Sequence, residues 1–128
     1  MTYLEATKES IRNYINGAIK AGELIPGDFE NVYALETFLS EMQYDICTAD
    51  PEEARKMVNA HPADVRRCIS ESMTEAGDVF DAYADGENMD IYFDRIARMF
   101  YFSEAVRDVF EEMHIREMIE DAHFVYNI

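Results

Sequence analysis

Asp81, Asp85 and Gly86 stand at the first, fifth and sixth positions of a calcium-loop pattern. The match stops there. Tyr83 occupies the third ligand position, and Tyr92 stands where a bidentate Glu closes the coordination shell of such loops. Those two residues supply much of the oxygen donor set, so calcium is not expected, and a helix end followed by a turn accounts for the same residues. His61, His114 and His123 are scattered, and neither a His-Glu-x-x-His pair nor a Cys-x-x-Cys occurs, so zinc has no support. No Ser lies in a Gly-x-Ser-x-Gly elbow, and the five glycines form no phosphate loop. Carboxylates are abundant, but no pair stands apart from the acidic background as an acid/base couple. The expectation is a protein without catalytic activity, cofactor or metal.

Helices must position whatever these residues do. Leu4, Ile11, Ile15, Ala18 and Ile19 recur at helical spacing up to Gly22, which predicts a first helix from Tyr3 to about Ala21. Pro26-Gly27-Asp28 makes a turn with a capping Asp. The apolar stripe from Phe29 through Leu35, Leu39 and Ile46 predicts a second helix. Asp50-Pro51-Glu52-Glu53 has the form of a cap, a first-turn proline and a capping-box Glu, predicting a short helix to about Asn59. His61-Pro62 restarts the chain with His61 as cap, and Val65, Ile69, Met73, Ala76, Phe80 and Tyr83 predict a long fourth helix ended by Asp85-Gly86. Asn88 is placed to cap a fifth. Ser103 either caps a sixth helix or lies within one continuous helix to about Asp121, and the spacing allows both. The apolar tail from His123 to Ile128 is expected to dock on the body. The stripes containing Met73, Phe80, Met99, Phe100, Phe110 and Met113 read as core, and Cys47 and Cys68, each in an apolar helical pattern, as buried free thiols. The fold class is all-α: one domain over residues 1–128, an irregular bundle of five or six helices.

Charge is the unusual quantity. Twenty-seven Asp and Glu against eleven Lys and Arg give a net charge of -16 and a pI near 4.3, beside an ordinary hydrophobic fraction of 48%. Direct binding of nucleic acid or an anionic membrane is unfavourable for such a surface, because both need cations to displace counterions. Arg66-Arg67 invites a helix-turn-helix reading of residues 50–80, but the second helix would carry Glu71, Glu75 and Asp78 into the phosphates. These arginines are expected to pair with acids of the same chain. The N-terminal residues lack the apolar stretch of a signal peptide or a membrane span, which points to a cytoplasmic protein. The natural complement is a basic protein surface.

The acids are not spread evenly. Residues 28–54 and 68–94 contain no Lys or Arg, and each stretch holds eight acids. At roughly 100° per residue, Glu71, Glu75, Asp78, Asp81 and Asp85 occupy one face of the fourth helix, opposite its apolar stripe. Like charges three or four residues apart destabilise a helix, where alternating signs would stabilise it. Two explanations stand: a surface that simply faces water, or a row meant to be bound, since a duplex strand carries one phosphate about every 3.4 Å. In size, acidity and carboxylate rows the chain resembles the phage-encoded DNA-mimic proteins that inhibit restriction enzymes or CRISPR effectors. The resemblance implies a DNA mimic that blocks a basic nucleic-acid-binding surface, with Glu71, Glu75, Asp78, Asp81, Asp85, Asp90 and Asp94 as the contact row. The alternative is a helical interaction module that binds through an apolar groove.

Overall fold

A computed structural model describes residues 1–47, 50–72 and 89–126. Every regular element among them is helical: α1 (Tyr3–Lys20), a 3-10 turn (Pro26–Asp28), α2 (Val32–Glu41), α3 (Gln43–Ile46), α4 (Pro51–Ala60), α5 (Pro62–Ser72), α6 (Met89–Phe100), α7 (Phe102–Glu112) and α8 (Ile115–Tyr126). The all-α reading holds, but the described residues alone form eight α-helices rather than five or six. None is long and apolar enough to cross a membrane.

Where the chain carries a local stop or start signal, that signal is used. Thr2 accepts the Glu5 N–H while Glu5 reaches back to the Thr2 N–H, a reciprocal cap on α1. At the other end Gly22 takes a φ of 74°, so that Glu23 N–H reaches Ala18 O at 2.9 Å and Gly22 N–H reaches Ile19 O at 3.1 Å. These are the two bonds that close a helix C-terminus through a left-handed residue. Asp50 Oδ1 accepts the Glu53 N–H at 2.8 Å with Pro51 in the first turn, as expected for α4. The reciprocal half of that cap is not made, because Glu53 turns to Arg98 instead.

Three corrections concern where helices begin and break. Asn31, not Asp28, caps α2, its Oδ1 accepting the Ala34 N–H at 2.9 Å, and Asp28 belongs to the 3-10 turn. The second helix divides at Met42, and the segment from Met89 onward divides at Tyr101 and again at Met113-His114. Ser103 therefore neither caps a helix nor lies in one unbroken run; it is the second residue of α7. His61 does not act through a side-chain cap in α5: its Nε2 lies 2.7 Å from Met1 O and its ring packs edge-on against Tyr3. The far end of the expected fourth helix, with Met73, Phe80 and the Asn88 cap, lies outside the described residues.

Two apolar clusters form the core. The larger joins Ile11 and Ile15 of α1, Leu35 and Leu39 of α2, Ile46 and Cys47, Phe102, Val106 and Val109 of α7, and Ile115 and Ile119 of α8. The smaller joins Tyr3 and Ala6 to Met57 of α4, Val65 and Cys68 of α5, and Ala97 of α6. α1 contributes to both, packing on α7, while α4 and α5 pack on α6 and α8 covers the 3-10 turn. Both cysteines are buried and free, as expected. Phe110 is core and Met113 packs against it, but Phe100 is exposed, as is Phe124 of the tail expected to dock.

Candidate functional site: an acidic face and a mixed-charge cleft

Ion pairing decides which acids are free to meet a partner. Arg98 is the best-connected cation and lies inside, its side chain only 3% exposed. Its Nε donates to Asp94 Oδ2 at 3.1 Å, one terminal nitrogen to Ser10 Oγ at 3.1 Å and the other to Glu53 Oε1 at 3.2 Å, so one guanidinium joins α6, α1 and α4. Asp94, expected in the surface row, is thus a correction: it is buried at 1% exposure because the 94–98 spacing on α6 turns it inward with its partner. Burial raises its pKa, opposed by the charge and hydrogen bond of Arg98. Tyr3 hydroxyl and Asp94 Oδ1 are both buried without a hydrogen-bond partner, and burial together with the Asp94 charge pushes the Tyr3 phenol up.

The remaining members of the expected row do not assemble into one face among the described residues. Asp90 pairs with Arg55 at 3.3 Å across α6 and α4. Glu71 is exposed near the end of α5. Glu75, Asp78, Asp81 and Asp85 lie outside the described residues. Arg67 also departs from expectation: it donates to the Tyr101 hydroxyl and lies over the Phe100 and Tyr101 rings at 5.6 and 5.8 Å, taking up aromatic faces rather than carboxylates.

The first acidic stretch behaves differently. Of its eight acids, only Glu52 and Glu53 meet a cation among the described residues, through Lys56 and Arg98. Asp50 caps α4. Asp28, Glu30, Glu41 and Asp45 are exposed and Glu36 half-buried, with no described cation within 4 Å of any of them. Leu35 and Leu39 point α2 into the core, which at roughly 100° per residue sets Glu36, Tyr33, Thr37 and Glu41 on its outer side. Tyr33 is 75% exposed in the middle of that face. Tyr44 of α3 extends it, and the Arg95 guanidinium lies over its ring at 5.7 Å. Sequence reading registered this stretch by its missing cations, but placed the contact row on the other one.

The cations of α1 are spent elsewhere: Glu112 of α7 accepts from both Lys8 and Arg12, which holds its carboxyl below the usual range. Beside α2 a cleft of about 840 Å³ opens towards α7 and the start of α8. Val32 and Phe110 give it an apolar part, Tyr33 stands at it, and Arg107, Arg116 and Glu36 bring charge. The chain enters α8 through His114, a non-glycine residue at a φ of 54°, whose Nδ1 lies 3.8 Å from Glu117. No group of three or more His, Cys, Asp or Glu set to hold a metal occurs among the described residues. In comparison with known proteins, no family model, no curated protein and no solved structure matches the chain.

Proposed function

We propose that this chain acts as an acidic mimic of nucleic acid, binding a basic nucleic-acid-binding surface of another protein and blocking it. A host defence nuclease or CRISPR effector is the target class that the acidic-mimic resemblance implies. The observation that carries the reading is the cation-free surface of residues 28–45, where Asp28, Glu30, Glu36, Glu41 and Asp45 have no described counter-ion. A protein with eleven cations leaves these five groups uncompensated while spending Lys8, Arg12, Arg55 and Arg98 on other acids. Such a surface attracts a basic groove at long range, and Tyr33 at its centre offers a ring to an incoming guanidinium. The contact surface is therefore moved from α6 to α2 and α3, with Glu71 retained as an exposed member.

Charge reversal tests this directly. Glu30→Lys, Glu41→Lys and Asp45→Lys together are expected to leave the helical circular dichroism intact, because all three positions are exposed. Capture of basic, DNA-binding proteins by the variant should drop at least tenfold. Capture that survives the triple change overturns the assignment of this face.

A second reading has its own observation. Tyr33, Met118 and Phe124 are large apolar side chains left exposed, and Tyr33 stands at the cleft floored by Phe110. A helical module that binds an apolar partner segment would use such a surface, and its binding would resist salt.

A further inference from the structure

We infer that the cleft between α2, α7 and the α7–α8 corner is a site for a ligand that joins a carboxylate to an aromatic body. The argument begins with two arginines. In a chain where acids outnumber cations by 27 to 11, an arginine finds a carboxylate easily, and Arg12, Arg55 and Arg98 do. Arg107 and Arg116 do not: among the described residues neither has a carboxylate oxygen within 4 Å, although both line a cleft that Glu36 and Glu111 also line. Their guanidinium forks are open in the most acid-rich surroundings, and a planar fork is the group that fits a carboxylate with two parallel hydrogen bonds.

The rest of the cleft fixes the body of the ligand. Phe110 is 8% exposed and supplies an apolar wall, while the Tyr33 ring stands almost free in solvent at the same opening. A flat ring entering between them gains apolar burial and an aromatic contact. The volume of about 840 Å³ lies within the range of ligand clefts and exceeds a single amino acid, so the cleft also admits the end of a peptide. Glu36 and Glu111 disfavour a doubly charged head such as a phosphate monoester and favour a single negative charge, with a neighbouring ammonium tolerated. A free aromatic amino acid and a peptide ending in an aromatic residue share this chemistry.

Titration of the full chain, followed by proton–nitrogen correlation spectra, separates the outcomes. The probes are N-acetyl-L-phenylalanine for the peptide end, L-phenylalanine for the free amino acid, and phenethylamine, which lacks the carboxylate. The inference expects shifts for residues 31–36 and 107–117 with the first two probes and at least tenfold weaker ones with the third. Tighter binding of L-phenylalanine assigns the free amino acid; tighter binding of the acetylated form assigns the peptide end. Arg107→Gln and Arg116→Gln should each weaken the carboxylate probes tenfold without changing the spectrum elsewhere. Binding by phenethylamine equal to the carboxylates, shifts unaltered by the arginine changes, or no shifts at all would overturn it. None of these results bears on the acidic face, whose test is binding of a basic protein.

Discussion

Arg98 shows at the residue scale how the charge balance of this chain works. A buried guanidinium held by Asp94, Glu53 and Ser10 orders three helices around one group, and removing one partner leaves the other charge buried alone. Arg98→Met should therefore cost about 3–5 kcal/mol in urea unfolding, and adding Asp94→Leu should restore much of that, because an apolar pair of similar volume needs no compensation. Full additivity of the two losses would contradict the coupling. Asp94 also sets a pH dependence. Its folded pKa is raised, so the folded protein holds this proton more firmly than the unfolded chain, and its contribution is present in acid and lost as pH rises through the raised value. The melting temperature of the natural chain minus that of Asp94→Asn should accordingly fall from pH 4 towards neutrality; a difference that grows would reverse the sign. Cys47, pushed up to about 11 chiefly by burial, should resist iodoacetamide in the folded protein and react on unfolding. This scale was the least legible in the sequence. Asp94 follows seven acids of the same stretch without a cation, and nothing in its type or spacing separates the one that turns inward; the i, i+4 arginine was the available signal.

At the scale of elements, legibility followed local chemistry. The cap at Thr2 was available from the residues, the stop at Gly22 was read from them, and the Asp50-Pro51 start was read to within one residue at each end of α4. The breaks at Met42, Tyr101 and Met113 carry no Gly or Pro, and were missed or left open. Tertiary packing accounts for the second of them: Phe93, Ile96 and Ala97 of α6 serve the smaller core, whereas Phe102, Ala105 and Val106 of α7 serve the larger. A straight helix with one apolar stripe cannot face both. Asp50→Ala should cost about 1 kcal/mol, because the Glu53 N–H loses its acceptor, and an unchanged unfolding midpoint would show that the cap contributes nothing.

For the whole molecule the governing quantity is the net charge of -16 over a helical bundle whose internal ion pairs consume many of its cations. Composition alone made this visible, together with the two cation-free stretches; which stretch presents its acids outward depended on where Leu35, Leu39 and Arg98 pack. Self-repulsion of this size should make the fold more stable in salt, with a higher melting temperature at about 500 mM than at about 50 mM NaCl. The central claim is that the acids of residues 28–45 occupy a basic groove made for nucleic acid. The most direct measurement immobilises the chain, captures basic proteins from a nuclease-treated bacterial lysate, and challenges the complex with duplex DNA at constant ionic strength. The account predicts that duplex DNA displaces the captured protein and that its affinity falls at least tenfold between about 50 and 200 mM salt. Retention of the captured protein against excess duplex, with affinity indifferent to salt, would contradict it.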